Sequence, residues 1–302
     1  MKIGLQIEQQ MVWFGERGAL RQAAEAGFDT IDLSLHPKTA EAKSFMRDAS
    51  IDEVYDHYAH LKEYADGLGL SFSQIHTPLR PAYYAHETEY NKAYFRTQEK
   101  SIAACAALGT PYAIFHMLQP PLERYSEVYQ REGEALNIEF FGQLMPLLEK
   151  YRIQVCIENL FGITILPDNK LDYSLNSRID DVLHIIDSYN KIFGEDRFVA
   201  CVDTGHAFLM GQDPAEMIRT LGKRVRCLHV SDNDGAHDSH TAPYLGKIDW
   251  DDVLSALKEV DYSGSFNFEA DGFALAFGPE GSADALSFLY KLGHRMTNRT
   301  GL

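Results

Sequence analysis

Short apolar or β-branched runs recur along the chain at KIGLQIE, DTIDLSL, SFSQIH, YAIFH, IQVCIEN, FVACVD, RCLHVSD and SFNFEA. Between them, apolar positions repeat with helical period over residues 16–26, 51–68, 90–107, 133–151, 178–193, 213–221, 249–259 and 280–295. Several of these segments carry start signals. Ser50 precedes one with Glu53 three residues on, Asp213 and Pro214 open another, and IDWDDVL opens the next to last. Strands that alternate with helices imply a parallel sheet, because parallel neighbours need a crossover. Eight such units in one chain of 302 residues predict an α/β fold, a (β/α)8 TIM barrel forming a single domain over residues 1–302. No G-x-G-x-x-G follows the first strand, so the dinucleotide-binding alternative lacks its phosphate loop. Long loops are expected at 36–50, 77–89, 117–132, 159–177 and 231–248, all after strands, on the side where a barrel builds its site.

The chemistry-bearing residues fall at those strand ends. The third strand ends in His76, the fourth in His116, the fifth in Glu158 and the sixth in Asp203, with His206 just beyond in a turn containing Gly205. The seventh ends in His229, its following loop holds Asp238 and His240, and the eighth ends in Glu269. In a barrel these ends converge on one mouth. Ionisable groups after apolar stems are costly to desolvate unless something offsets the cost. A divalent cation would do so, and mixed His and carboxylate ligands suit Zn, Mn, Co or Fe better than Ca. Glu158, Asp203, His229 and Glu269 are therefore the expected metal ligands. His206, Asp238 and His240 are expected to bind substrate or a further metal. His76 and His116 are candidates for the same roles, or for hydrogen bonds to neighbours. His57, His60, His184 and His294 lie in helical segments and read as solvated or packed side chains.

Composition narrows the function. The formal charge is −16, from 28 basic and 44 acidic side chains, which repels a phosphate backbone, so no nucleic-acid partner is expected. The four cysteines are scattered through apolar runs with no C-x-x-C spacing and read as buried small hydrophobes. No run of 18 apolar residues is present and MKIGLQIEQQ lacks the apolar core of a secretory signal, so no membrane partner and a cytoplasmic location are expected. A homo-oligomer is compatible with the sequence but nothing in it specifies one.

Taken together, CIEN at 156–159, VDTGHA at 202–207, LHVSDNDG at 228–235, DSH followed by LGKIDW, and the final Glu269 resemble the xylose-isomerase-like TIM-barrel superfamily. That group contains sugar phosphate isomerases and epimerases, inosose-processing enzymes and the endonuclease IV type of AP endonuclease. In its isomerase and epimerase branch, the resemblance implies one metal held by Glu158, Asp203, His229 and Glu269. In its endonuclease branch, it implies three zincs held by His76, His116, Glu158, Asp203, His206, His229, Asp238, His240 and Glu269. The superfamily's ketose 3-epimerases have a second Glu six residues after the fifth-strand Glu and an Arg six residues after the seventh-strand His. This chain has Thr164 and Gly235 there. Its rim loops are mixed and aromatic, so a small polyhydroxylated substrate is the expected partner.

The expected reaction is isomerisation or epimerisation of a sugar, sugar phosphate or polyol. One divalent metal (Mn, Co, Zn or Mg) would stabilise an enediolate, with Glu158 and Glu269 as base and acid and His206 orienting a hydroxyl. The alternative is phosphoester hydrolysis of the AP-endonuclease type with up to three Zn. A third reading is a non-catalytic sugar-binding barrel, which would have no need for two opposed Glu residues across a metal.

Overall fold

A computed structural model describes residues 1–36, 38–79, 88–122, 124–167 and 170–301. Eight parallel strands form the sheet: β1 Ile3–Gln6, β2 Thr30–Ser34, β3 Ser71–His76, β4 Tyr112–Phe115, β5 Gln154–Glu158, β6 Phe198–Asp203, β7 Val225–His229 and β8 Phe266–Phe268. Each pairs with its predecessor from β1 to β7, and β8 pairs with β1. Val230 extends β7 by one residue to bridge Phe268, which closes the ring. The barrel expected from the sequence is the one observed.

The helical layer is α1 Glu8–Ala26, α2 Ala40–Asp48, α3 Ile51–Gly67, α4 Glu89–Leu108, α5 Glu127–Tyr151, α6 Ile179–Phe193, α7 Thr204–Leu209, α8 Pro214–Leu221, α9 Trp250–Glu259, α10 Asp271–Leu275 and α11 Gly278–Thr300. The anticipated caps are formed. Ser50 and Glu53 make a reciprocal capping box on α3, Asp213 caps α8 ahead of Pro214, and Asp249 caps α9.

Three expectations need correction. The segment expected at 16–26 is the second part of α1, which begins at Glu8 and breaks at Gly15 (φ 68°), a backbone state that glycine adopts without strain. The expected loop 36–50 contains α2, which buries only Met46 and so has no apolar stripe to read. The helix expected from 133 starts at Glu127, where Ser126 accepts from the Tyr129 N–H, and shortens the expected 117–132 loop.

The main core lies between sheet and helices. There Phe115, Phe140, Phe141, Tyr189 and Phe198 pack edge to face around α5, α6, β4 and β6. The opposite parity of the strands faces the barrel interior. Ile114, Cys156, Val199, Cys201 and Cys227 fill it with a small apolar cluster. All four cysteines are free and buried, and burial pushes the Cys156, Cys201 and Cys227 thiols up, in keeping with a packing role. Toward the carboxyl ends of the strands the interior turns polar. Among the described residues, no helix is long and apolar enough to cross a membrane.

Candidate metal centre

The strand ends deliver the side chains the sequence singled out. His76, Glu158, Asp203 and His229 are the last residues of β3, β5, β6 and β7. His116 and Glu269 lie one residue beyond β4 and β8. All are buried except His116, which is partly so. His206 is not in a turn, as its sequence neighbourhood suggested, but in the first part of α7. Asp203 explains this change. It is the N-cap of α7, and its Oδ1 accepts from the His206 N–H at 2.7 Å, so one carboxylate starts the helix while its Oδ2 remains available. A Cβ at Gly205 would overlap Ser231 Oγ, so glycine lets the start of α7 lie close against Ser231.

His229 is the hub of the first cluster. Its Nδ1 lies 2.7 Å from Glu158 Oε1, 2.9 Å from Glu269 Oε2 and 3.9 Å from Asp203 Oδ2. One nitrogen cannot serve all three. Asp203 Oδ2 and Glu269 Oε2 are buried and accept no aligned hydrogen bond, Glu269 Oε2 meeting His229 Nδ1 only as a charge contact. Ligand atoms of Glu158, Asp203, His229 and Glu269 all lie within 4.8 Å of one another. Two ligands of one Zn-like ion sit at most about 4.2 Å apart, so a shift of a few tenths of an ångström would let this set enclose one. Orphaned carboxylate oxygens facing an imidazole nitrogen are the donor set that such a cation satisfies.

Two further groups flank the hub. His116 Nε2 lies 2.8 Å and His76 Nε2 3.4 Å from Glu158 Oε2. On the other side, Asp238 bridges His206 (Nε2 to Oδ2, 3.7 Å) and His240 (Nε2 to Oδ1, 3.2 Å), forming a second set of clustered ligand atoms. Backbone carbonyls orient three of these rings. His76 Nδ1 donates to Thr77 O at 2.8 Å, His206 Nδ1 to Asn159 O at 3.1 Å and His240 Nδ1 to Glu269 O at 3.0 Å, and in each case Nε2 turns inward. Asn159 also locks β5 to β6, donating to Asp203 O and accepting from the Asp203 N–H.

The electrostatics follow from burial and crowding. Burial pushes Glu158 up, but the His229 and His116 imidazoles outweigh it and hold the carboxyl well below the usual range. Burial likewise opposes ionisation of Glu269, yet His229 and His240 bring it down to about 2. Asp203 has weaker compensation. Burial dominates and raises it to about 7, despite the His206 imidazole. Burial alone would lower His76 and His206, but Glu158 carries the first to about 9, and Asp203 with Asp238 carries the second to about 9. Without a cation, the imidazoles themselves supply the positive charge.

One residue at the hub was absent from the sequence expectations. Asp32, in the middle of β2 and fully buried, accepts from His229 Nε2 at 2.9 Å. Its signal was alternation. Thr30, Asp32 and Ser34 share the inward parity, while Ile31 and Leu33 face the helices. The two positions that depart from the ketose 3-epimerase pattern take other roles. Thr164 sits beside the bridge of Ile165 with Leu171, its carbonyl accepting from the Asp172 N–H, and Gly235 has φ 80°, where an arginine would be strained. Of the cationic rim residues, Arg124 pairs with Asp172 at 2.9 Å and Lys247 donates to Asp234 O, whereas Arg80 and His86 lie outside the described residues.

Residues 20–292 match the profile of a protein family described as xylose isomerase-like TIM barrel. The chain is 24% identical to an L-ribulose 3-epimerase of Methylomonas sp. over 268 residues, covering 86% of this chain and 82% of that protein. It is 19% identical to an inosose isomerase of Bacillus velezensis over 245 residues, covering 78% and 76% respectively. The crystal structure of the IOLI protein with a bound zinc atom superimposes with a TM-score of 0.70 at 16% identity, over 99% of each chain.

Proposed function

Given that the chain belongs to the xylose isomerase-like TIM-barrel family, we propose that it is a divalent-metal-dependent isomerase or epimerase of a small sugar, sugar phosphate or polyol. Sugar epimerases and isomerases are among its relatives and fold neighbours. The observation that carries the reading is the convergence of Glu158, Asp203, His229 and Glu269 on one point, with two buried carboxylate oxygens that accept no hydrogen bond.

Those four residues would hold the cation, which supplies Lewis-acid stabilisation of charge developing on the substrate oxygens. Asp203 serves chiefly as an anchor, since it is fixed by Asn159 and by the α7 cap. Glu158 and Glu269 approach His229 Nδ1 from β5 and β8. With substrate between them, one takes the proton from the carbon next to the carbonyl and the other passes a proton taken up from solvent to the opposite face or the adjacent carbon. Their depressed pKa values suit the ionised state that metal binding requires of both and that proton abstraction requires of the base. Gln6 Nε2 donates to Glu269 Oε1 at 3.1 Å and holds that carboxylate in place. His206, with Nε2 turned into the mouth, orients a substrate hydroxyl.

A second reading has its own support. The His76–His116–Glu158 and His206–Asp238–His240 groups flank the hub, and three ions so placed would suit phosphoester hydrolysis. Elemental analysis of protein purified without chelator separates the two. About one ion per chain supports the isomerase reading, and about three support the hydrolase. The charge of −16 weighs against a nucleic-acid phosphoester as the substrate.

A further inference from the structure

We propose that Asp32, braced by Gln74 and Asn267, is a positioning residue that presents His229 Nδ1 to the cation and makes the His229 cluster the first of the candidate metal sites to fill. The proposal rests on the metal reading above.

Asp32 occupies the barrel axis side of β2 at a step in the β2–β3 register, where Ile31 pairs with Phe72 but Asp32 pairs with Gln74. Such an irregularity re-aims a side chain. A single oxygen, Oδ2, accepts from His229 Nε2 at 2.9 Å, Gln74 Nε2 at 2.8 Å and Asn267 Nδ2 at 3.3 Å. Gln74 is itself fixed to Leu228 O at 3.2 Å, the carbonyl just before His229. Gly4 leaves the space for this bracket, since a Cβ there would overlap Asn267 Oδ1. A buried carboxyl with three convergent donors on one oxygen is an expensive arrangement unless the ring it holds has work to do.

The ring it holds is the exception among the histidines oriented at the mouth. His76, His206 and His240 each donate Nδ1–H to a backbone carbonyl and turn Nε2 inward, and His240 Nδ1 also faces Asp271 Oδ1 at 3.2 Å. His229 is reversed, with Nε2 outward to a carboxylate and Nδ1 inward to Glu158 and Glu269. A carboxylate partner fixes the tautomer and makes the opposite nitrogen a better electron donor than a carbonyl partner does. The His229 cluster thus combines an imidazole backed by a carboxylate with three carboxylate ligands, whereas the His206–Asp238–His240 group offers a single carboxylate, and the greater negative charge favours filling of the His229 cluster first.

The test is stepwise Zn2+ titration of the metal-free full-length protein against a chromophoric chelator, for wild type, Asp32→Ala and Asp32→Asn. Loss of an outer partner typically costs 10–100-fold in affinity, so the first equivalent should bind about 10–100-fold more weakly in Asp32→Ala. The loss should be smaller in Asp32→Asn, whose amide oxygen can still accept from Nε2–H, and later equivalents should bind unchanged. A folded Asp32→Ala protein with wild-type affinity for the first equivalent overturns the proposal. Nitrogen-15 NMR of wild-type protein holding one Zn2+ decides the matter even if Asp32→Ala does not fold. His229 should be protonated at Nε2 and metal-bound at Nδ1, and the reverse overturns the proposal. Wild-type protein that takes up no Zn2+ would instead remove the metal reading, and this inference with it.

Discussion

Glu158→Gln removes a charge from the hub while keeping the shape of the side chain. Glu158 Oε1 faces His229 Nδ1 at 2.7 Å and Oε2 faces His116 Nε2 at 2.8 Å, with His76 Nε2 at 3.4 Å. Gln replaces one of those oxygens by an NH2 donor, so in either orientation an imidazole loses its acceptor. Breaking a buried ion pair costs on the order of 3–5 kcal/mol. Here the imidazoles can shed their protons, and the loss should approach that of a buried polar group left unpaired, about 1–3 kcal/mol. The effect on turnover should be larger. A positioned general base contributes about 10²–10⁴-fold, equivalent to about 3–5 kcal/mol of transition-state stabilisation. The variant should therefore show a modest drop in urea midpoint with an unchanged m-value, weaker metal binding, and kcat lower by at least about 10²-fold. Near-wild-type kcat at full metal content would refute the role of Glu158 as the proton-transfer base.

Metal loading should release protons between pH 7 and 9. A cation requires His229 neutral, although its neighbours raise it well above its ordinary value, and a cation taken up by Glu158 and Asp203 offsets the carboxylate charge that holds His76 and His206 near 9 in the metal-free protein. A weakly buffered titration with a pH indicator would read this, and loading without proton release would contradict it. The same shifts have a stability sign. Raised histidine pKa values stabilise the metal-free fold fully below about 6.5 and are lost as pH rises through about 9. The metal-free melting temperature should thus fall between pH 7 and pH 10, and a flat profile would count against these assignments. Asp232→Ala strips the acceptor from the Asn233, Tyr244 and Ile248 N–H groups and from Trp250 Nε1. At about 1–3 kcal/mol per stranded donor, it should destabilise far more than Asp249→Ala, which loses one helix cap worth about 1 kcal/mol. Equal urea midpoints for the two variants would refute that. Gly4→Ala should cost about 1–3 kcal/mol through the forced shift of Asn267 and Thr30, and an unchanged melting temperature would show that the bracket is looser than described.

The barrel was legible because its strands are largely buried on both faces and most end in a polar residue, so apolar runs stopping at His76, Glu158, Asp203 or His229 stand out in the sequence. What stayed hidden has particular causes. α2 exposes most of its surface and gives no stripe, and the first part of α1 is cut off from its second by Gly15. α7 reads as a turn because its cap, Asp203, also belongs to the polar cluster. Asp32 escaped because attention to strand ends passes over a carboxyl in mid-strand, although the alternation of Thr30, Asp32 and Ser34 with Ile31 and Leu33 places it inside the barrel. The sharing of Glu158 between His229 and His116, and the link from His240 to the Glu269 carbonyl, arise from side chains far apart in sequence and have no local signal.

The most direct test of proton transfer at the metal-bound hub is solvent deuterium incorporation. The metal-loaded protein would be incubated in D2O with a panel of ketoses, inososes and their phosphates, and products followed by NMR and mass spectrometry. Deuterium should appear at the carbon next to the carbonyl, in step with isomer formation, and be abolished by chelator and by Glu158→Gln. Metal-dependent phosphate release with no carbon-bound deuterium in any substrate would contradict it.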